Sequence, residues 1–194
     1  RDPLLYAHSV ATSALTIRVT MEIVMKADDL ARIGGATLAK DLGMTRIPRP
    51  QAGKQYLSKQ QFHQIRKHPV IGLVLLTHYL GEGIEGMVAL RHHMRNGSGY
   101  PAWAGLKPSK LIDLIEAVDV FYALISPRSF RPEPFDARGA IDELTQMAEQ
   151  GQISRDSVRL LVMCLRQDRP DLGQVDLSNE RQGFVPRENF YGTG

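Results

Sequence analysis

Apolar residues recur at three- and four-residue intervals along most of the chain, the spacing of one buried helix face after another. Val10, Ala14, Ile17, Met21 and Val24 mark a first helix over residues 8–25. A second, over 30–42, contains Gly34 and Gly35, each of which weakens a helix relative to alanine. Residues 47–56, with two prolines and Gly53, read as a loop. Ser58 followed by Gln61 is a capping-box signature for a helix through Lys67. Pro69 suits the first turn of the next helix, which ends near Gly81. Residues 84–91 form a short helix that presents His92 and His93 at its end, and 97–105 are a loop. Pro108 opens a long helix over 109–125, with Leu111, Leu114, Ile115, Val118, Phe121 and Tyr122 in its buried stripe. After a proline-rich loop over 126–134, Asp136 caps a helix that Gly151 ends, and Ser154 caps another to about Gln167. Beyond Pro170 the helical period fades. Residues 174–186 alternate weakly around Ser178 and Asn179, a pattern that allows a small β-hairpin. The expectation is an all-α domain over 1–170 with a C-terminal extension over 171–194.

Composition narrows this only a little. Hydrophobic content of 43% and charged content of 23% in 194 residues describe an ordinary globular domain with enough chain for a core. No apolar run approaches the roughly 20 residues of a membrane span. The single cysteine, Cys164, excludes an internal disulfide and lies in an apolar run, as a buried thiol in a reducing cytoplasm would. The net charge of +3 comes from scattered groups, at 46–54, at Arg66 and Lys67, and around Arg128 and Arg131. That distribution suits solvated helix faces or a small anionic ligand, and lacks the long basic stripe of a nucleic-acid surface. Arg1 is not a natural start, so the chain reads as a fragment with an upstream domain.

The candidate chemistry centres on residues 92–101, His-His-Met-Arg-Asn-Gly-Ser-Gly-Tyr-Pro. Adjacent histidines followed by a glycine-rich turn suggest a metal held beside a rigid loop. Further ligands are available at His8, Asp41, His68 and Asp119, all near helix ends or turns that a bundle can bring together. Imidazole with carboxylate suits iron, manganese or zinc, and two such metals sharing a carboxylate can activate water against a phosphodiester. Each residue also has a plain reading. His92 and His93 can be capping or surface histidines, His68 a helix-terminus histidine, and Asp41 a charge at a helix end. Asp119 can be a buried, hydrogen-bonded carboxylate, although an acid in so apolar a stripe needs a partner. His63, in a polar stretch, reads as a surface residue.

Three blocks taken together resemble the HD-GYP family, all-α members of the HD superfamily that hydrolyse cyclic di-GMP in bacteria. The first is Leu38-Ala39-Lys40-Asp41-Leu42-Gly43-Met44, continuing to Ile47-Pro48. The second is Lys67-His68-Pro69-Val70-Ile71-Gly72, then His92-His93 and Gly97-Ser98-Gly99-Tyr100-Pro101. The third runs from Ala117 to Leu124 through Asp119, and on to Arg128-Ser129-Phe130-Arg131-Pro132. Order and spacing agree over about residues 1–170. The resemblance implies an HD-type helical bundle. It implies that Asp41, His68, His92 and His93 hold one metal, with His8 and Asp119 serving a second. It places Arg128 and Arg131 on phosphate, and gives the loop of Gly97, Gly99, Tyr100 and Pro101 to contact with GGDEF-type diguanylate cyclases.

The departures bear on activity. Lys40 stands where the family has its namesake histidine, and a protonated amine offers no lone pair to a metal. Met44 replaces a lysine that contacts phosphate. Leu4 and Tyr122 occupy the third-metal positions, so a third metal is not expected. Asn96 replaces an aspartate, and the loop after His93 is one residue short. The second metal position is then either impaired, with the Lys40 ammonium paired to Asp41 or Asp119, or served by a lysine shifted toward neutrality. Two functions follow. One is a non-catalytic domain with no metal or a single one, sensing cyclic di-GMP or docking a partner downstream of a sensor or receiver domain. The other is a surviving metal-dependent phosphodiesterase that yields pGpG or GMP.

Overall fold

The computed structural model describes residues 3–23, 26–48, 58–95, 99–102, 109–127, 133–166, 171–177, 183 and 186. They form a helical bundle: α1 (Pro3–Thr20), α2 (Ala27–Ala39), α3 (Lys59–Ile65), α4 (His68–Leu80), α5 (Ile84–Arg91), α6 (Lys110–Ile125), α7 (Ala137–Glu149) and α8 (Arg155–Leu165). A 3-10 turn, Leu42–Arg46, follows α2. The helices begin where local chemistry dictates. Ser58 accepts from the Gln61 amide while Gln61 returns the bond, Ser109 accepts from Ile112, Asp136 from Gly139 and Ser154 from Ser157. Pro69 sits in the first turn of α4, where its missing amide costs nothing. Gly81 and Gly151, with positive φ of 83° and 72°, follow the ends of α4 and α7.

Two apolar cores share α6. The larger joins its Leu114, Val118 and Phe121 to Leu144 of α7, and to Val158 and Leu161 of α8. The smaller sets Ile112 and Ile115 against Ala36 of α2 and Val88 of α5. Ten of the sixteen α6 residues are buried, so this helix is the axis of the molecule. Val175 and Leu177 of the C-terminal extension enter the larger core, and the Gly183 amide donates to Asp142 of α7 at 2.7 Å. Among the described residues there is no strand. Leu172–Gln174 is a 3-10 turn, and most of the rest of the span expected as a hairpin lies outside the described residues. Cys164 is half-buried against the larger core rather than enclosed by it.

The first helix departs most from expectation. It begins at Pro3, earlier than the apolar stripe suggests, and the stripe does not face the core. Val10, Ala14 and Met21 are exposed and Ile17 is half-buried. The buried face is His8, Ser9, Thr12, Ser13, Thr16, Val19 and Thr20. Small side chains let α1 lie close on α2. Ser13 donates to the Gly34 carbonyl at 2.8 Å, and a Cβ on Gly34 would stand 2.5 Å from Ile17 Cδ1. Gly34 thus makes room for α1, whereas Gly35 faces open space.

Candidate functional site

Five helices meet around Asp41. Asp41 lies between α2 and the 3-10 turn, and Gly43 fixes that turn against α4. A Cβ at Gly43 would stand 2.0 Å from the His68 carbonyl oxygen and 2.7 Å from the Gly72 nitrogen, so only glycine permits this approach. His68 opens α4 and is turned inward by a bond from Nδ1 to the Ile65 carbonyl at 2.8 Å. His92 follows α5, with Nδ1 at 2.9 Å from the Ala89 carbonyl and 3.1 Å from that of Val88. Because both Nδ1 atoms face carbonyl oxygens, the proton of each neutral ring belongs there and Nε2 carries the lone pair.

These Nε2 lone pairs converge. They are 3.2 Å apart, and they lie 3.3 Å (His68) and 3.4 Å (His92) from the same oxygen, Oδ1 of Asp41. Three acceptors share this space only around a positive charge, a proton on one ring or a metal ion. Ligand bonds of about 2.1 Å give ligand–ligand edges of about 3.0 Å in octahedral and 3.4 Å in tetrahedral geometry. The observed triangle falls between those limits. His93 lies within reach of the same point, all four ligand atoms being within 4.8 Å of one another. Burial, and next the neighbouring His92, hold His93 well below its ordinary pKa, which leaves it neutral with a lone pair to offer. Asp41, His68, His92 and His93 could therefore hold a divalent metal.

The other half of the site is different. His8, Asp41 and Asp119 also lie within 4.8 Å of one another, but a side chain already stands among the carboxylates. Lys40 is fully buried, at 0% exposure. Its Nζ donates to Asp41 Oδ2 and lies 2.7 Å from Asp119 Oδ1, and Asp119 also takes a bond from His8 Nε2 at 2.8 Å. Burial alone disfavours the ammonium. Asp119 and Asp41 outweigh that cost, so the Lys40 pKa lies above its ordinary value. Burial likewise pushes both carboxyls up, and the Lys40 ammonium reverses this, so both stay well below the usual carboxylate range. In this arrangement the Lys40 protons are directed at the two carboxylates, as in an ammonium pair. Asp41 spans the two halves, with Oδ1 toward the imidazoles and Oδ2 toward the amine.

Tyr100 covers the histidines. Its ring centroid is 4.7 Å from that of His93 and 6.1 Å from that of His68, and the Arg66 guanidinium lies 5.1 Å from it on another side. Its amide donates to the His93 carbonyl at 2.8 Å. Gly99 lets the loop return this close, since a Cβ there would be 1.8 Å from the same carbonyl oxygen. Pro101 is half-buried. Met44, with Leu38, Leu42, Ile47, Ile65 and Tyr6, lines a cavity of about 850 Å³ that reaches Asp41. Asp41 is the single charged residue among the described residues of its lining. His63 and His78 are exposed and away from the cluster. Leu4 points to solvent and Tyr122 is half-buried. Arg128, Arg131, Gly97 and Asn96 lie outside the described residues.

Two charged residues near the site were not singled out by the sequence. Arg66 faces Tyr100. Glu116, one turn before Asp119 on α6, is buried and pairs with Arg95 Nε at 3.2 Å. Burial pushes its carboxyl up to about 8 against the opposing pull of Arg95. An acid set inside an apolar run, the signal that drew attention to Asp119, marks Glu116 equally.

No helix among the described residues is long and apolar enough to cross a membrane. The chain is similar to a Pseudomonas aeruginosa protein named as a cyclic di-GMP phosphodiesterase, with 32% identity over 153 residues. That match covers 76% of this chain and 36% of the relative, so the chain corresponds to roughly a third of that protein's length. The family described as HD domain matches residues 1–156, which include every described residue of the buried His–Asp cluster. The chain belongs to the HD-domain family.

Proposed function

We propose that this chain is an HD-GYP-type domain of cyclic di-GMP signalling that holds one divalent metal and has lost hydrolysis. It acts as a ligand-sensing module whose state is passed to a partner such as a GGDEF-type cyclase. The observation that carries this reading is the fully buried Lys40 ammonium on Asp41 and Asp119. A second metal in that space would share Asp41 with the first and lower the pKa of a water between them. The ammonium offsets one of the two carboxylate charges, but it has no vacant orbital for the lone pair of a water and donates all its protons. A cation stays in the site while water activation is lost. Met44 removes a second requirement, because a thioether cannot neutralise a phosphate.

The remaining residues retain a binding role. Asp41, His68, His92 and His93 would hold a single iron-, manganese- or zinc-type ion, which would supply Lewis acidity toward the ligand's phosphate. Tyr100 orients and shields the histidines. Arg128 and Arg131 contact the remaining phosphate charge. The competing reading, an active phosphodiesterase with a mononuclear site, rests on the intact convergence of His68, His92 and Asp41.

Metal analysis of the purified chain, calorimetric binding of cyclic di-GMP, and turnover assays on cyclic di-GMP and linear pGpG separate the two. We expect about one metal per chain, binding that His92→Ala removes, and no turnover. Hydrolysis abolished by His92→Ala would overturn the non-catalytic reading. In the double variant Lys40→His with Met44→Lys, metal content rises to about two and hydrolysis appears. If neither rises, the account of why the site is silent is wrong.

A further inference from the structure

We propose that Glu116 is a positioning residue: through Arg95 it anchors the turn that carries the chain from His93 back to Tyr100, and so keeps the Tyr100 ring on the histidines. Glu116 lies in the middle of α6 and is 5% exposed, between Ile115 and Ala117, which are both fully buried. Burial pushes its carboxyl up to about 8, so an acid is costly at this position. Packing alone does not call for one. Oε1 makes no aligned hydrogen bond among the described residues, and what offsets its burial is Arg95, with Nε at 3.2 Å. Arg95 stands two residues after His93.

The backbone needs an anchor there. Arg95 has a φ of 35°, the single positive value at a non-glycine residue among the described residues. Residues with a Cβ rarely adopt it, and it persists where the surroundings hold it. On either side of Arg95 the chain bonds to itself. The Gly99 amide donates to the Met94 carbonyl at 3.3 Å, and the Tyr100 amide to the His93 carbonyl at 2.8 Å. Both bonds are internal to the turn, so they set its shape without fixing where it lies on the bundle. The contact from Arg95 to Glu116 runs from the turn to α6 and supplies that placement. A second pair repeats the register. Asp113 of α6, raised by burial, is drawn back by Arg91, four residues before Arg95. Asp119, three residues beyond Glu116, takes Lys40, so one helix places both the ammonium half of the cluster and the ring over the imidazole half. Contacts outside the ligand set orient metal ligands they do not touch.

Two variants of one position test this. Glu116→Met fills the same space without a polar oxygen, whereas Glu116→Gln keeps an oxygen facing Arg95. In metal-free protein, amide exchange at Gly99 and Tyr100 is expected to quicken about tenfold in Glu116→Met and to stay near the parent rate in Glu116→Gln. The melting temperature of Glu116→Met stays at or above that of the parent, because an apolar side chain replaces a buried acid and Arg95, 35% exposed, is solvated. A role in stability alone would lower it. The manganese Kd rises about tenfold in Glu116→Met and returns in Glu116→Gln, an arm that rests on the single-ion site proposed above. Arg95→Met reproduces both effects, and adding it to Glu116→Met increases neither. Unchanged exchange at Gly99 and Tyr100, equal effects of Met and Gln, additive effects in the double variant, or a manganese Kd unmoved by Glu116→Met overturns the proposal. A parent chain that binds no manganese would count against the proposed function alone, and the exchange measurement would still decide the role of Glu116.

Discussion

The two halves of the buried cluster solve one problem with different chemistry. Around His68, His92 and Asp41 Oδ1, three acceptor atoms are held within 3.4 Å of one another and share one positive charge, a proton or a metal ion. Around Asp41 Oδ2 and Asp119, the chain provides the cation itself, as Lys40. The first half could take a cation from outside. The second is closed, with one ammonium set between two carboxylates. A site can therefore keep its shape and a central cation while one half of its chemistry changes.

The largest effect is expected from removing the tethered cation. Lys40→Met leaves Asp41 and Asp119 buried without their main partner, and breaking a buried pair in this way costs about 3–5 kcal/mol. Urea unfolding of the metal-free variant reads this loss, and added manganese or zinc restores part of it if the vacated space then accepts a metal. A variant as stable as the parent would show that the two halves do not differ as described. The imidazole half is broken from the backbone. Gly43→Ala forces the 3-10 turn away from the His68 carbonyl, at about 1–3 kcal/mol in unfolding free energy. It moves Asp41 from the imidazoles, so metal content falls more than stability does.

The remaining effects are in pH. Asp41 and Asp119 lie below their ordinary 3.8, so their contribution is complete above that pH and fades as pH falls through the depressed folded values. Lys40 lies above 10.5, so its contribution is complete below that pH and is lost as pH rises through the folded value. The closed half is therefore fully stabilising from about pH 4 to pH 10. Glu116 runs the other way. Its folded value of about 8 exceeds the ordinary 4.5, so its contribution is complete below 4.5 and declines as pH rises toward 8. Melting temperature of chelator-treated protein falls over that interval, and Glu116→Gln flattens the slope. An unchanged slope would mean that Arg95 already holds Glu116 ionised.

Much of this was legible in the residues because local rules and tertiary packing agree. The capping box at Ser58, the caps at Asp136 and Ser154, and the glycines after α4 and α7 are satisfied within a few residues of themselves. His68, His92, Asp41 and Asp119 were all singled out, and the fold brings them together. The choice left open for Lys40, one carboxylate or the other, resolves as both at once. What escaped depends on long-range context. An apolar stripe does not say which side of a helix carries the core. For α1 the inward side is decided by close packing on Gly34 and by His8 reaching Asp119, over 111 residues of sequence. Glu116 escaped because α6 was read as one stripe with a solvent side, whereas two cores enclose it.

A tethered ammonium has no dissociation rate and no competitor. Chelators, scarcity and rival metals reach the imidazole half but cannot empty the space that Lys40 fills. The chain can lose its exchangeable ion and still keep Asp41, Asp119 and the helices that carry them in register. On the proposed function, the form without that ion would be a folded, waiting state, which would give metal supply or ligand arrival a reversible input instead of a condition for survival.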